Sequence, residues 1–408
     1  MTLLFTLTAL ASGPEALVAE ALDANPGLAA KEAAIRELEH LAAAAGSWMD
    51  PVVATELSNV STTAWSLDGH PMSGLQLKLS QPLPAPGVTG ARAEAAEARV
   101  AVAGHALDAA RVMLAAQVEQ TWWSLARVRA LREVTERHLA LTDEFVEVVR
   151  ARYEVGGAGQ HALLRLGVQR DRLEDQLGDF DADDAALVAA LAAALHRDAL
   201  VVPPADELVL RPAELELDAW LSTAIAESPE LEGWRASEAA AEAAARAARL
   251  EARPDPTVWV GYRVRTVESA TDPGVDLVSA GVSLPIPVGS KRRGDAAEAA
   301  ALEVAGAARS QAAASRDRIQ AELSAELARW ERAEDKAHTY ADTLLPAAQL
   351  ALDTTLSDYR VGRADFASLY QAWTTLLDLE RGRLNALVDT HLTASRVHAL
   401  AGQLPSSP

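Results

Sequence analysis

The chain has 408 residues, half of them hydrophobic and only 4% aromatic, with alanine supplying a large share of the apolar set; this suits long, closely packed helices better than a thick globular core. A formal net charge of −21, from 37 Lys and Arg against 58 Asp and Glu, excludes the clustered positive charge of a nucleic-acid binder and fits equally a soluble acidic surface and an acidic, cation-tolerant lumen. With no cysteine in the sequence, none is available for a disulfide, a thiolate metal site or a lipid-modified N-terminal Cys.

Leu3 to Ala11 is a short apolar run followed by Ser12-Gly13. It reads either as the end of a secretory signal, making residues 1–13 a signal remnant, or as the first hydrophobic turn of the mature chain, since no Lys or Arg precedes it. Nowhere else does an apolar run reach the roughly 18 residues of a spanning helix, so a membrane crossing by this chain uses strands. Glu15 to Ser47 reads as helix, and two strands follow at Val52 to Ser58 and Leu75 to Gln81, separated by a loop from Asn59 to Ser73 that carries Asp68-Gly69 and Pro71. Val88 to Tyr153 holds no proline, so one helix of about 66 residues runs for about 100 Å. Within it Leu131, Val134, His138, Leu141, Phe145 and Val148 are spaced 3, 4, 3, 4, 3, the seam of a helix packed lengthwise on a partner. Gly156, Gly157 and Gly159 end it, and a helix returns from Leu163 to about Arg197.

The plan then repeats. Asn25-Pro26-Gly27-Leu28 recurs as Ser228-Pro229-Glu230-Leu231, Asp50-Pro51 as Asp255-Pro256, Pro82-Leu83-Pro84 as Pro285-Ile286-Pro287, and Tyr153-Glu154-Val155-Gly156 as Tyr359-Arg360-Val361-Gly362. The offsets are 203, 205, 203 and 206, which marks a duplication. The first repeat is 14–202, a proline-rich linker covers 203–217 with Pro203, Pro204 and Pro212 stopping any helix, the second repeat is 218–402, and a tail fills 403–408. The second repeat reads as helix from Trp220 to Arg253, strands Thr257 to Arg265 and Val275 to Leu284, a helix from Lys291 to Tyr359 kinked by Pro346, a turn at Gly362, and a helix from Phe366 to Ala401.

In the third strand Val258, Val260, Tyr262 and Val264 alternate with Thr257, Gly261, Arg263 and Arg265, and Trp259 alone interrupts the polar set. Nine residues are about what a tilted strand needs to cross the hydrocarbon layer, and an aromatic at the water boundary is a common placement. Four strands do not close around a channel, and unpaired edges are not tolerated within a membrane. Several copies would therefore share one barrel, twelve strands for three copies. The alternative is a pair of β-hairpins capping a soluble helical bundle, which makes the chain a coiled-coil scaffold or interaction protein without a pore.

These residues resemble the TolC-like outer-membrane efflux protein family from about Glu15 to Gly402. The resemblance rests on the duplicated half, Gln81-Pro82-Leu83-Pro84, the Tyr-x-x-Gly hairpins, and Pro254-Asp255-Pro256-Thr257 leading into Gly281-Val282-Ser283-Leu284-Pro285-Ile286-Pro287. The last pair, with Gly294, is most similar to the heavy-metal branch, the cobalt-zinc-cadmium or copper-silver systems. The fold so implied is mainly α with a small β part, a long α-helical coiled-coil barrel plus a transmembrane β-barrel. The resemblance further implies a homotrimer in outer-membrane lipid with a long periplasmic extension, a periplasmic adaptor protein and an inner-membrane pump of the resistance-nodulation-division type. It places the adaptor-docking tips at Tyr153, Gly156, Leu163 and Leu164 and at Tyr359, Gly362 and Leu369. Where some members carry acidic residues that narrow the pore, this chain has Ser368 and Gln371, with Asp365 one turn away; those three are the candidate constriction. The loops Asn59 to Ser73 and Thr266 to Gly274 would face outside the cell.

Other chemistry fits less well. Nine histidines are scattered, and His391 and His398, seven apart, lack a carboxylate at ligand spacing. Asp179, Asp181 and Asp183 begin like a calcium loop, but Asp184 stands where glycine is needed and Ala190 where the bidentate Glu belongs. No Lys-Ser or Lys-Thr follows Gly156, Gly157 and Gly159, so they form no phosphate loop. Long amphipathic rods without a nucleophile, base and orienter argue against an enzyme, and no cofactor or metal is expected.

Overall fold

A computed structural model describes residues 13–60, 62, 63, 65, 67, 72–203, 208–214, 216–265 and 275–404. Leu3 to Ala11, Asp68-Gly69, Pro71, Pro204 and the loop Thr266 to Gly274 lie outside the described residues.

The chain is mainly helical with one small antiparallel sheet. Its elements run α1 (Glu15–Ala24), α2 (Pro26–Ala45), β1 (Val52–Ser58), β2 (Gly74–Pro82), α3 (Val88–Glu154) and α4 (Gln160–Ala194), then α5 (Leu217–Glu227), α6 (Pro229–Glu251), β3 (Thr257–Arg265), β4 (Leu277–Ser283), α7 (Ser290–Thr339), α8 (Leu345–Arg360) and α9 (Phe366–Leu400). Two compact units result, one from Glu32–Ala106 and Glu232–Ala313, the other from Met1–Lys31, Leu107–Leu231 and Ala314–Pro408. Among the described residues no helix is long and apolar enough to cross a membrane.

Two expected helices are each split in two. Asn25 and Ser228 adopt extended ψ values of 119° and 116°, because each precedes a proline whose ring disfavours the α region for its neighbour. The freed Asn25 side chain accepts from Gly27 N at 2.8 Å and donates to Ala194 O at 2.9 Å. The rod between Ser290 and Arg360 also departs from a simple proline kink. Tyr340–Leu344 forms a π-helical segment in which Leu345 N–H bonds Tyr340 O, five residues back. Pro346 has no N–H and its ring crowds the carbonyl of Asp342, so the ladder widens ahead of it. Gly382 on α9 leaves room for the Tyr340 ring, since a Cβ there would lie 2.7 Å from Cε1.

Among the described residues four cores lie in the second-named unit, the smallest being Ala337, Ala386 and Leu387 with Leu208 and Leu210 of the linker packed on them. In the hairpin core, Val134, Phe145, Val149, Ala162, Leu166 and Leu173 meet Leu352, Tyr359, Leu369, Trp373 and Leu376. Two more match each other across the repeat: α1 packs Leu17, Val18 and Ala21 on Trp122, Leu125, Leu191 and Leu195, and α5 packs Trp220 and Ala224 on Ile319, Leu323, Trp330, Ala394 and Val397. In the sheet-bearing unit the buried residues between α3 and α6 are alanines, Ala91, Ala95, Ala243 and Ala247, with Ala98 and Leu250 half-buried against them.

The linker is tied down by polar contacts that periodicity does not foretell. Trp330 Nε1 donates to Arg211 O at 3.1 Å, Ala213 N donates to Glu334 at 2.9 Å, and His391 Nε2 donates to Val209 O at 2.8 Å. The His391 ring stacks on Trp123 with centroids 3.6 Å apart. Burial, with the nearby Arg211 guanidinium working in the same direction, lowers the His391 pKa from the usual 6.5 to about 4. The folded protein therefore keeps this ring neutral while the unfolded chain takes up a proton near pH 6.5, so stability falls as pH drops through that window. The full drop is about 3 kcal/mol. Thermal melting of the purified protein at pH 7.5 and pH 5 is expected to show about 2 kcal/mol of that loss in wild type, the rest coming only as pH falls to about 4, and a smaller loss in His391→Gln; equal losses would refute the assignment.

Candidate functional site

Two surfaces collect the residues singled out by the sequence. The first is the sheet, in strand order β1-β2-β3-β4. Its rows run Leu57, Leu75, Val264; Thr55, Leu77, Tyr262, Val278; Val53, Leu79, Val260, Ala280; and Gln81, Val258, Val282. Val258, Val260, Tyr262 and Val264 thus lie in one continuous apolar face with their neighbours on β1, β2 and β4. That face is the exposed one: Leu77 is 50% accessible, Val260 47% and Val282 68%. The opposite face carries Glu56, Gln76, Lys78, Arg263 and Ser279 and is the more shielded, Gln76 being 8% accessible. Arg263 Nη2 donates to Gln76 Oε1 at 2.7 Å. A water-soluble sheet orients the other way, polar side out.

Trp259 does not sit at a boundary on the apolar side. It lies on the polar face with Lys78 Nζ 4.5 Å from its ring centroid, and its cross-strand neighbour is Gly281. A Cβ on Gly281 would stand 2.6 Å from Trp259 Cζ2, so the glycine makes the space and the alternation of β3 is unbroken. The strand exits are clasped as well. Leu83 N donates to Pro256 O at 2.7 Å and Ala85 N to Asp255 Oδ1 at 2.7 Å.

The second surface is the pair of hairpins joining α3 to α4 and α8 to α9. Each closes in the same way: Gly156 (φ +75°) and Gly362 (φ +81°) donate to Tyr153 O and Tyr359 O at 3.0 and 3.1 Å, and the next residues reach back five positions, to Arg152 O at 2.7 Å and Asp358 O at 2.8 Å. This double bond pattern needs a left-handed residue, which favours glycine. Asp365 then starts α9 by accepting from Ser368 N at 2.8 Å, and hydrogen bonding from the Ser368 side chain, with this backbone bond, holds its carboxyl below the usual carboxylate range.

Of the expected tip residues, Tyr153 and Leu164 are exposed and Leu163 packs against the hairpin core, whereas Tyr359 and Leu369 are buried within it. Burial makes the last two part of the platform rather than of its surface. Asp365, Ser368 and Gln371 are all exposed on the first turns of α9. Val155 and Val361, 81% and 63% accessible, extend the apolar tip surface and were not anticipated. Nor was Arg152, whose guanidinium lies 4.6 Å from the Tyr359 ring centroid and donates to Tyr359 O, joining one hairpin to the other. Its equivalent in the second repeat is Asp358, so the repeat itself gives no signal of this contact. Deeper in, Trp373 Nε1 donates to His138 Nδ1 at 2.9 Å, so Nε2 carries the proton toward Glu380 at 3.3 Å. This hydrogen bond, with the ring and Arg137, lowers the Glu380 pKa against its partial burial.

Arg152→Ala removes the tie from the first turn to Tyr359 at the second. Spin labels at Val155→Cys and Val361→Cys are expected to give a broader distance distribution in that variant than in the parent; distributions of equal width would show that the Arg152 tie does not hold the turns together.

Comparison with known proteins agrees with this architecture. Residues 17–195 match the model of the outer membrane efflux protein family. The outer membrane protein VceC from Vibrio cholerae superposes with a TM-score of 0.78 at 20% identity, over 96% of this chain and 97% of that one. CusC gives 0.75 at 17% identity over 97% and 93% of the two chains, and the CmeC outer membrane channel of Campylobacter jejuni gives 0.74 at 13% identity over 95% and 85%. At these identities the likeness is one of fold. No curated protein matches the sequence.

Proposed function

We propose that this chain, a TolC-like outer membrane efflux protein, is one protomer of a homotrimeric exit duct that carries substrates passively from a periplasmic adaptor and an inner-membrane pump of the resistance-nodulation-division type to the cell exterior. The observation that carries the reading is the inverted sheet, apolar face exposed and polar face shielded, in a chain whose described helices do not cross a membrane. Burying that face against lipid removes several large apolar side chains from water, each favourable by about 1.5–3 kcal/mol, and turns the polar face toward an aqueous lumen. Twelve strands from three copies would satisfy the edges that a bilayer does not tolerate.

In this reading the two glycine-closed turns are the periplasmic tips. Tyr153, Val155, Leu164 and Val361 offer the adaptor an apolar surface, while Gly156 and Gly362 fix the turns and Tyr359 and Leu369 support them from beneath. Asp365, Ser368 and Gln371 line the constriction, and opening splays the hairpins outward. An adaptor can drive this only through its differential affinity for the open state. The cargo we infer is a heavy-metal cation, supported by the resemblance of the Pro285-Ile286-Pro287 and Gly294 region to that branch; the acidic chain tolerates cations, and the pump sets selectivity.

Cell fractionation followed by light scattering in mild detergent is expected to find a trimer confined to the outer membrane; a detergent-independent soluble particle would leave a helical scaffold instead. In planar bilayers, crosslinking Ser368→Cys with Gln371→Cys across protomers is expected to abolish conductance, and an unchanged current despite confirmed crosslinks would remove the tip gate. Loss of the protein should sensitise cells to cobalt, zinc, cadmium, copper or silver if the cargo is a metal, and sensitivity to organic toxicants alone would reassign it.

A further inference from the structure

The duplication is geometrically strict within the sheet. Adding 205 to each β1 position and 203 to each β2 position converts every β1–β2 pair into a β3–β4 pair: Val52↔Ser80 becomes Thr257↔Ser283, and Ser58↔Gly74 becomes Arg263↔Leu277. β3 is therefore the counterpart of β1, and β4 of β2. The sheet also contains a third ladder, β2–β3, which joins the repeats with Ser80 opposite Trp259. Its counterpart would join β4 to β1, yet within one chain these are the two free edges of the sheet.

We propose that a second copy of this chain completes that missing ladder, with β4 of one copy antiparallel to β1 of the next in the register Ser283↔Ala54, and with Pro51 and Asp50 of the next copy clasping the exit of β4. This rests on the duct reading above and specifies the contact that closes the barrel. The register follows from the β2–β3 seam: Ser80 plus 203 is Ser283, and Trp259 less 205 is Ala54. The clasp follows likewise. Leu83 N on Pro256 O becomes Ile286 N on Pro51 O, and Ala85 N on Asp255 Oδ1 becomes Val288 N on Asp50 Oδ1.

Three observations support the transfer. First, the faces agree. The register sets Val282 beside Thr55 and Ala280 beside Leu57 on the apolar side, and Gly281 beside Glu56 on the polar side; a slip of one residue would reverse every side chain. Second, the groups already satisfied in the first exit are uncovered in the second. Ala85 is 5% accessible and Val288 92%, Leu83 is half-buried and Ile286 exposed, and Asp255 and Pro256 are half-buried where Asp50 and Pro51 are exposed. Third, the acceptors are retained as an Asp-Pro pair in both repeats. In the single chain Val288 N closes a three-residue turn onto Ile286 O at 2.9 Å, a weak bond that the clasp exchanges for a carboxylate.

The absence of native cysteine makes the register directly readable. Neighbouring antiparallel pairs alternate between close and wide Cα spacing, so Ala54→Cys with Ser283→Cys and Thr55→Cys with Val282→Cys together cover both classes and one has disulfide geometry. Oxidation of the full-length protein in outer membranes is expected to give covalent oligomers on non-reducing gels for at least one pair. The controls Ala54→Cys with Gly281→Cys and Thr55→Cys with Ala280→Cys, two residues out of register on the same face, should give none. Controls that crosslink as well as the test pairs, or a membrane trimer in which no test pair crosslinks, would overturn the register and leave the duct intact; a soluble monomer would overturn both. For the clasp, Asp50→Ala should lower the temperature at which the oligomer dissociates without changing helical melting of the protomer, with Asp50→Asn, which keeps an acceptor oxygen, restoring most of the loss. Oligomers of equal thermal resistance in Asp50→Ala and wild type would refute it.

Discussion

The ladder between β2 and β3 is the constraint on which the arrangement of the sheet-bearing unit depends. Nine residue pairs, from Gly74↔Arg265 to Pro82↔Thr257, join segments separated by more than 170 positions in the chain. Pairing at that separation carries a large loop-closure entropy and is rewarded only when the register is right, because alternate residues must meet on the same face. The Asp255 and Pro256 clasp reinforces it where the chain leaves β2 for α3. Once the seam is set, α3 and α6 are brought together, and their alanine faces have something to pack on.

The other unit uses a different device. Its three larger cores each contain tryptophan: Trp122 beneath α1, Trp220 with Trp330 beneath α5, and Trp373 between the hairpins. A few large rings compensate for a sequence that has few of them, and their N–H groups are put to use: Trp330 holds the linker, Trp220 bonds Glu214 O, and Trp373 fixes the tautomer of His138. Buried polar atoms in this setting stabilise only when paired, and the linker supplies partners through Val209 O for His391 and Arg211 O for Trp330.

Much of the fold was legible in the sequence because it is periodic and repeated. The bounds of β1 and β3, the proline-free run of α3 and the glycine turns all follow from spacing and from the conformational limits of single residues. What escaped was what depends on a neighbour. Trp259 looked like an interruption because the strand alone does not disclose that Gly281 lies opposite. The π-helical segment depends on where Pro346 meets an existing ladder, and Arg152 becomes a tie only when Tyr359 is brought beside it. The breaks at Asn25 and Ser228 were within reach, since both precede proline, but the apolar periodicity on either side outweighed that local rule. Of the tip residues, spacing identified the turns but not which side chains point inward, so exposed Tyr153 and buried Tyr359 read alike.

The alanine contact between α3 and α6 has a further consequence. A methyl group has no rotamers to lose, whereas burying leucine forfeits about 0.5–1 kcal/mol of side-chain freedom and burying a long polar chain more. Ala91, Ala95, Ala243 and Ala247 therefore bring two helices together at almost no side-chain entropic cost. The contact supplies little hydrophobic free energy, but little of it is lost to side-chain ordering, Leu250 at its edge being the one branched side chain among the residues packed there. Helices joined in this way are held in one geometry by the shape of the backbone itself.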